Sequence, residues 1–195
     1  MEAQQWPLTA AATHTLLAIA ASASPKGAGA PQPKEVVKLA LKELLVRGAY
    51  RIQIEKRRFG KAKVTLYPQQ AASLPWPLAT FDGALRPHTP GEIGSVIKMA
   101  RKYRKTLIKD VGELFLGELT QRGLVEQRTE KALGIFSTTR WRRTASGDAW
   151  AATATQHVQR LQGLPSEAES DPHSAARAAA AAGALALMVP VALAV

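Results

Sequence analysis

The chain contains no cysteine, so disulfides, thiolate nucleophiles and cysteine-ligated zinc sites are excluded. Its four histidines lie far apart in the sequence, without the spacing that places two metal ligands on one helix face. Motifs for catalysis are also missing, since there is no Gly-x-Ser-x-Gly turn, no Gly-x-Gly-x-x-Gly and no phosphate-binding loop. These absences predict a protein that is not an enzyme and that holds neither a metal nor a cofactor.

Acidic residues are few relative to basic ones. The formal net charge is +11 and the sequence pI is about 10.3. Between Lys34 and Arg143 there are 23 Lys or Arg against 10 Asp or Glu, so the flanking segments are weakly acidic overall. An excess of this size favours polyanionic partners such as nucleic acid or an acidic membrane surface.

The basic residues form three clusters, at a predicted hairpin, at a junction between two predicted helices and beside Trp141. Their members are Lys56, Arg57, Arg58, Lys61 and Lys63, then Arg101, Lys102, Arg104, Lys105 and Lys109, then Arg140, Arg142 and Arg143. A single cluster is usually a solvated face, because Lys and Arg populate surfaces whether or not they bind anything. Three clusters without compensating acids favour a binding surface, although charge alone does not separate lipid from nucleic acid.

Apolar runs occur near the two ends of the chain. No Lys or Arg precedes the run at residues 16–21, so it lacks the positive start of a secretory signal, and we expect a cytoplasmic protein. Residues 178–195 carry no charged or polar side chain, which meets the minimum length of a spanning helix. Half of them are Ala, and Pro190 would kink a helix. A C-terminal tail anchor and a low-complexity tail both stay open.

Composition divides the chain into an N-terminal segment and linker (1–33), a basic folded domain (34–163) and a linker with an Ala-rich apolar tail (164–195). Residues 22–33 combine Ser, Gly, Ala and Pro, which is typical of a linker.

From Glu35, apolar residues at helical spacing predict a helix that ends at Gly48. Residues 49–67 alternate and turn, which predicts a hairpin with a basic tip. Residues 68–87 have no clear period, and we expect them to be irregular or briefly helical.

In the second half, Thr89, Pro90 and Glu92 form a capping box that predicts the start of a helix. A break near residues 105–106 separates this helix from the next one, which ends at Gly123. A hairpin pairing residues 124–128 with 135–141 follows, and then a last helix capped by Ser146 and running to about residue 163.

These elements predict a fold that is mainly α with small β-hairpins. The helical core carries two helix-hairpin halves, and each of the two helices ends in Arg-Gly, at Arg47-Gly48 and Arg122-Gly123. A weak internal repeat would explain this pattern. The second half is also winged-helix-like, with two helices followed by a two-stranded wing, which supports a DNA-binding alternative by analogy.

Local sequence points to one known family. The segments Glu43-Leu-Leu-Val-Arg-Gly48 and Arg51-Ile-Gln-Ile-Glu55, followed by Leu119-Thr-Gln-Arg-Gly-Leu-Val125 and residues 130–141 (EKALGIFSTTRW), are similar to two typical stretches of the Golgi phosphoprotein three family. The second stretch includes that family's membrane-facing hairpin. The matches have the family's order and spacing, and the resemblance covers about residues 34–143.

The resemblance implies a mainly helical protein that binds phosphatidylinositol 4-phosphate at membranes and, in eukaryotes, holds the cytoplasmic tails of membrane proteins. Lys109 falls where the family has a phosphate-binding Arg, which keeps the charge but loses the bidentate fork. Two other binding positions fall on Gly112 and Val37, and the family's binding Trp has no counterpart upstream of the first helix. The resemblance therefore implies binding to anionic lipid more readily than selective recognition of one head group.

We expect a non-catalytic peripheral membrane protein that binds anionic phospholipid or phosphoinositide. The predicted phosphate-binding residues are Lys109, Lys105, Arg104, Arg101, Arg57 and Arg58, and the predicted membrane-contacting hairpin residues are Ile135, Phe136, Arg140 and Trp141. The alternative is a winged-helix DNA-binding protein whose second helix reads bases. Asp110, Glu113 and Glu118 on that helix would repel phosphate, which makes nucleic acid the less favoured partner.

Overall fold

The computed structural model describes residues 7–19, 33–58, 62–70, 73–103, 107–132 and 136–189. It is mainly helical with two small antiparallel sheets, which confirms the predicted fold class. In chain order, the described elements are α1 (Ala10–Ala18), α2 (Pro33–Val46), β1 (Tyr50–Glu55), β2 (Lys63–Pro68), α3 (Trp76–Leu85), a 3₁₀ turn (Arg86–His88), β3 (Gly91–Glu92), α4 (Ile93–Tyr103), α5 (Leu107–Gln121), β4 (Val125–Ala132), β5 (Phe136–Arg143), α6 (Ala145–Leu161), α7 (Leu164–Ser170), α8 (Pro172–Ala182) and a 3₁₀ turn (Gly183–Met188).

Two helix-hairpin units share one local geometry. Gly48 and Gly123 end α2 and α5 with positive φ angles of 73° and 66°, a conformation that glycine adopts without steric cost. The next residue's N–H then donates to a carbonyl five positions back at 2.9 Å in both units, from Ala49 to Leu44 and from Leu124 to Leu119. The hairpins that follow have matching registers.

The registers extend the repeat over both hairpins. Tyr50 pairs with Pro68 in the first hairpin, and Val125 pairs with Arg143 in the second, each partner lying 75 positions after its counterpart. The sequence pattern Glu-x-x-x-Arg-Gly recurs at the same offset. The two halves are therefore one structural unit used twice.

Helix α1 joins the two units through its N-terminus. Glu43 of α2 accepts a hydrogen bond from the Ala10 backbone N–H at 2.8 Å, and Glu118 of α5 accepts one from the Thr9 hydroxyl at 2.9 Å. Thr9 itself caps the helix by accepting from the Ala12 N–H at 3.1 Å. We call this arrangement the glutamate clamp.

Each clamp carboxylate also has a cation that lies directly after its own helix. Arg47 donates two hydrogen bonds to Glu43, at 2.8 and 3.0 Å. Arg122 lies 3.7 Å from Glu118 and donates to the Pro7 carbonyl at 3.0 Å. The two glutamates are almost completely buried, at 2% and 6% exposed, so these partners offset the cost of desolvating them.

Helix α1 is part of the folded domain, although it lies in the segment we placed before that domain. Leu8, Ala10, Ala11, Ala12 and Leu16 are all buried in the main core. The helix packs against α2, α5 and α6. Its small Ala and Thr side chains allow close approach on every side, and for the same reason they give no amphipathic period in the sequence.

The capping box predicted at Thr89 is wrong. Gly91 and Glu92 instead form β3, which pairs with Thr65 and Leu66 of β2 and completes a three-stranded sheet in the order β1-β2-β3. Helix α4 therefore begins only at Ile93, and the Thr89 hydroxyl donates to the Arg86 carbonyl at 2.7 Å. Local sequence could not reveal that β2 offers a free edge at this point.

One further boundary differs from the prediction, and one open alternative is resolved. The cap of α6 is Thr144, whose hydroxyl accepts from the Gly147 N–H at 3.0 Å, and not Ser146, which is exposed within the helix. Residues 76–85, expected to be irregular or briefly helical, form α3, with Phe81 buried in the core.

The C-terminal elements pack back onto the domain. Leu185 and Val189 are buried in a small cluster with Leu161 of α6, and Leu187 and Met188 contact the main core. Gly183, with a φ angle of 55°, ends α8 within the Ala-rich run. Among the described residues, no helix combines the length and apolarity needed to cross a bilayer.

The glutamate clamp predicts unequal effects for two equivalent substitutions. Glu43→Gln should lower the free energy of unfolding by about 1.5–3 kcal/mol, because it removes the charge that receives two Arg47 hydrogen bonds. Glu118→Gln should cost less, since its guanidinium partner lies at 3.7 Å and a Gln oxygen still accepts from Thr9. Urea unfolding of the two variants measures this difference.

The pH dependence gives a second readout of the clamp. Burial raises the pKa of the Glu118 carboxyl above its ordinary 4.5, and the Thr9 hydrogen bond and Arg122 only partly oppose that shift. The folded protein therefore binds this proton more readily than the unfolded chain. Wild-type stability should rise relative to Glu118→Gln as pH falls from 7 toward 4.5. If the stability difference between the two proteins stays constant with pH, the pKa of Glu118 is not raised in the folded state.

Candidate functional site

For four of the six predicted phosphate-binding residues, the structure does not describe the side chain. Arg104, Lys105 and Ile135 lie outside the described residues. Arg101 and Lys109 lie on α4 and α5, and Phe136 begins β5, but the structure describes only their backbone. Their joint role at the helix junction stays a prediction.

The first hairpin carries the predicted basic tip. Lys56, Arg57 and Arg58 follow β1 directly, and all three are exposed. Arg57 lies 3.8 Å from Glu92 of β3, with both side chains about half exposed (52% and 46%). An exposed pair at this distance contributes little, so the guanidinium keeps its capacity to bind another anion.

Two exposed isoleucines lie next to this tip. Alternation along β1 places Tyr50, Ile52 and Ile54 on one face of the sheet. Tyr50 and the neighbouring Leu66 are buried at 3% and 0% exposure, whereas Ile52 is 44% and Ile54 60% exposed. The strand thus leaves the core as it approaches the tip, and its apolar face becomes accessible beside the cations.

The opposite face of the first hairpin is polar. The Arg51 guanidinium lies 4.5 Å from the centre of the Tyr67 ring, and Lys63 pairs with Glu55 across the two strands at 3.4 Å. Gln53 lies between Arg51 and Glu55 and is exposed. Over the three-stranded sheet and its basic tip, the described cations Arg51, Lys56, Arg57, Arg58 and Lys63 outnumber the carboxylates Glu55 and Glu92.

The third predicted cluster lies at the base of the second hairpin. Arg143 forms an ion pair with Asp148 of α6 at 3.0 Å and is largely buried, while Trp141 packs partly against the main core. Arg140 is exposed. The base of the hairpin therefore contributes Arg143 to the contact with α6 and Arg140 to the exposed surface.

A groove between α2 and α4 was not predicted from the sequence. It has a volume of about 360 Å³ and is floored by aliphatic side chains, Val37, Leu41 and Leu45 of α2 with Ile93 and Ile97 of α4. Lys34, Lys38 and Lys42 edge it, four residues apart on one face of α2. Glu35 pairs with Lys38 at 3.4 Å, and the Lys42 ammonium lies 3.4 Å from the Leu187 carbonyl.

A buried polar cluster lies under the first sheet. Asp82 of α3 accepts from Arg86 at 2.9 Å, and the Arg86 guanidinium also donates to the Gln69 carbonyl at 3.3 Å. Burial, together with Asp82, raises the pKa of the Tyr50 hydroxyl, which therefore stays protonated. This cluster ties α3 to the end of β2. Within the described residues, no three His, Asp or Glu side chains group as metal ligands.

Helix α5, the reading helix of the DNA-binding alternative, is surrounded by other elements. It packs against α1, α2, α3, α4 and β4. From residue 112 onward, where its side chains are described, Phe115, Glu118 and Leu119 are buried, and the exposed residues are Glu113, Thr120 and Gln121. Between residues 112 and 121 the helix offers no exposed cation to a phosphate backbone. The partly exposed Arg122 that follows it is engaged by Glu118 and the Pro7 carbonyl.

The chain matches no protein-family model, and no curated protein matches it.

The junction between the second hairpin and α6 makes a specific stability prediction. A Cβ on Gly147 would collide with the Leu124 carbonyl and approach the Arg143 Cβ to 3.2 Å. Gly147→Ala should therefore lower the free energy of unfolding by about 1–3 kcal/mol. Gly83→Ala, on an exposed position of α3 with open space around it, is the control and should be neutral or stabilising by up to about 1 kcal/mol. Equal urea midpoints for the two variants would contradict the close contact.

Proposed function

We propose that the chain is a non-catalytic peripheral membrane protein that binds anionic lipid at a cytoplasmic membrane face. The observation that carries the proposal is the exposed apolar edge of β1 beside the basic tip of the first hairpin. Ile52 and Ile54 supply apolar surface, and Lys56, Arg57 and Arg58 supply the adjacent charge. This combination suits the boundary between lipid head groups and acyl chains.

The expected energetics are those of several weak contacts acting together. Each Lys or Arg near an acidic surface contributes about 1 kcal/mol to binding. The three tip cations therefore act together with the two isoleucines, which insert as apolar anchors. The resemblance to the Golgi phosphoprotein three family supports the same class of partner, including phosphoinositides and the tails of membrane proteins. Lys109, Lys105, Arg104 and Arg101 would add charge if they lie on the same side as the hairpin.

A vesicle experiment tests this function on the full chain. The wild type should sediment with phosphatidylserine vesicles at low salt and be released from them at high salt. It should not bind phosphatidylcholine vesicles. The double variant Lys56→Glu/Arg58→Glu should lose on the order of 10- to 100-fold in affinity, since each reversal removes one attraction and adds one repulsion.

The matched control reverses two exposed arginines outside the hairpin, Arg160→Glu on α6 and Arg177→Glu on α8. Both double variants have the same net charge, so an equal loss would mean that charge alone, and not the hairpin, binds the membrane. Absence of wild-type binding to acidic vesicles at low salt would sink the proposal. A salt-sensitive shift with duplex DNA, without vesicle binding, would favour the nucleic-acid alternative.

The α2–α4 groove favours a second candidate function, the binding of a single-chain anionic amphiphile. The groove extends from Lys34 to Leu45, about 16 Å at the helical rise, which equals roughly twelve carbons of an extended chain. Its aliphatic floor suits the chain, and the three lysines at its edge suit a carboxylate or phosphate head.

Calorimetric titration with laurate, below its micelle concentration, tests the groove. We expect laurate to bind more tightly than dodecanol, which lacks the charge, and than octanoate, which fills less of the groove. Leu41→Asp should abolish binding, whereas Val46→Asp, on the same helix at a position 72% exposed, should not. Equal binding by these two variants would place the ligand elsewhere.

A further inference from the structure

Among the residues that the structure describes, none pairs with the outer edge of β1. In the sheet order β1-β2-β3, β1 pairs with β2 on one side only. The Gln69 N–H donates to the Ala49 carbonyl at 2.9 Å, so the backbone N–H and C=O of Ala49 point toward β2. Backbone groups alternate along a strand, so those of Arg51, Gln53 and Glu55 also point toward β2. Those of Ile52 and Ile54 point away from β2, toward the outer edge.

Exposed edges of this kind are usually protected by charged side chains, by proline or by a covering element, and charges of one sign also repel a second copy of the same strand. Here the strand carries one cation and one anion, Arg51 and Glu55, placed symmetrically about Gln53. Among the described residues, no backbone–backbone hydrogen bond uses the outward groups of Ile52 or Ile54. In this part of the chain the edge has no proline and no second strand, and its two charges have opposite signs.

The sequence of β1 is complementary to itself in the antiparallel direction. If Gln53 lies opposite Gln53 of a second copy, then Arg51 faces Glu55, and Ile52 faces Ile54, twice each by symmetry. Opposite charges and two apolar residues directly across an antiparallel ladder are stabilising pairs. A parallel arrangement in register would instead place Arg51 against Arg51 and Glu55 against Glu55.

The backbone geometry is compatible with the same register. Ile52 and Ile54 of the two copies would form the hydrogen-bonded pairs, because these are the residues whose polar groups point outward. Arg51, Gln53 and Glu55 would then occupy the non-hydrogen-bonded pairs, where Cα atoms lie about 4.5 Å apart and side chains approach most closely. Charge, apolar pattern and hydrogen-bond phase thus select one register.

We infer that β1 is a self-association edge, and that its partner is β1 of a second copy of this chain, paired antiparallel about Gln53. The joined sheet has six strands. Its four isoleucines, two from each copy, form one apolar patch on one face, and the two basic hairpin tips lie at opposite ends. A contact of this length is smaller than the interface of an obligate dimer, so association is weak and depends on concentration.

A cysteine trap tests the register. The chain has no cysteine, so Gln53→Cys introduces a single thiol. At the two-fold axis, the Cα separation of a non-hydrogen-bonded pair lies within the range that a disulfide spans. With oxidised glutathione as oxidant, this variant should form covalent dimer roughly tenfold faster or more than Gln127→Cys, because pairing raises the local thiol concentration. Gln127 is an exposed glutamine on β4 and serves as the control.

Charge reversal provides the second test. Arg51→Glu and Glu55→Arg each place like charges opposite one another, and each should weaken self-association about three- to tenfold in sedimentation equilibrium. An equimolar mixture of the two variants restores opposite charges at both contacts and should associate at least as tightly as the wild type. Circular dichroism confirms that each variant is folded.

Equal oxidation rates at positions 53 and 127, together with no gain on mixing the two charge variants, would overturn the inference. A gain on mixing with equal oxidation rates would overturn the proposed register. These measurements use no lipid, so their outcome is separate from that of the vesicle experiment.

Discussion

The N-terminus of α1 is the point on which the fold depends. A helix leaves its first backbone N–H groups without intrahelical partners and carries a partial positive charge at that end. Two carboxylates from different halves of the chain accept hydrogen bonds at this end of α1. Glu43 of α2 accepts from the Ala10 N–H, and Glu118 of α5 accepts from the Thr9 hydroxyl. Both are buried, so the start of α1 receives both of these hydrogen bonds only when α2 and α5 pack against it.

The clamp also determines where the hairpins leave the core. Each glutamate lies five residues before the glycine that ends its helix, and the hairpin starts two residues after that glycine. Fixing the helix ends therefore fixes the base of each hairpin. The two units then differ in what covers them: β3 extends the first sheet, whereas α6 closes against the second hairpin at Gly147.

This difference assigns different tasks to equivalent elements. At the second hairpin, Arg143 and Trp141 take part in packing near α6 and the core. At the first, β1 extends beyond its core contacts and exposes isoleucines and cations, with a backbone edge that no described strand covers. Within the described part of the chain, the surface best suited to a partner is thus the first hairpin, whose apolar residues and cations lie side by side and exposed.

The sequence by itself determined the helix-hairpin units, because their signals are local: helical spacing up to Gly48 and Gly123, and strict alternation along residues 50–55 with a basic turn. It also indicated the basic hairpin tip and the repeated Arg-Gly. Only the tertiary structure decided that α1 belongs to the core, that residues 91–92 form a strand, and that Thr144 caps α6. It also decided that α2 and α4 enclose a groove. These features depend on contacts between residues far apart in sequence, such as Ala10 with Glu43 and Thr9 with Glu118, and no local period encodes which distant carboxylate or strand edge will need a partner.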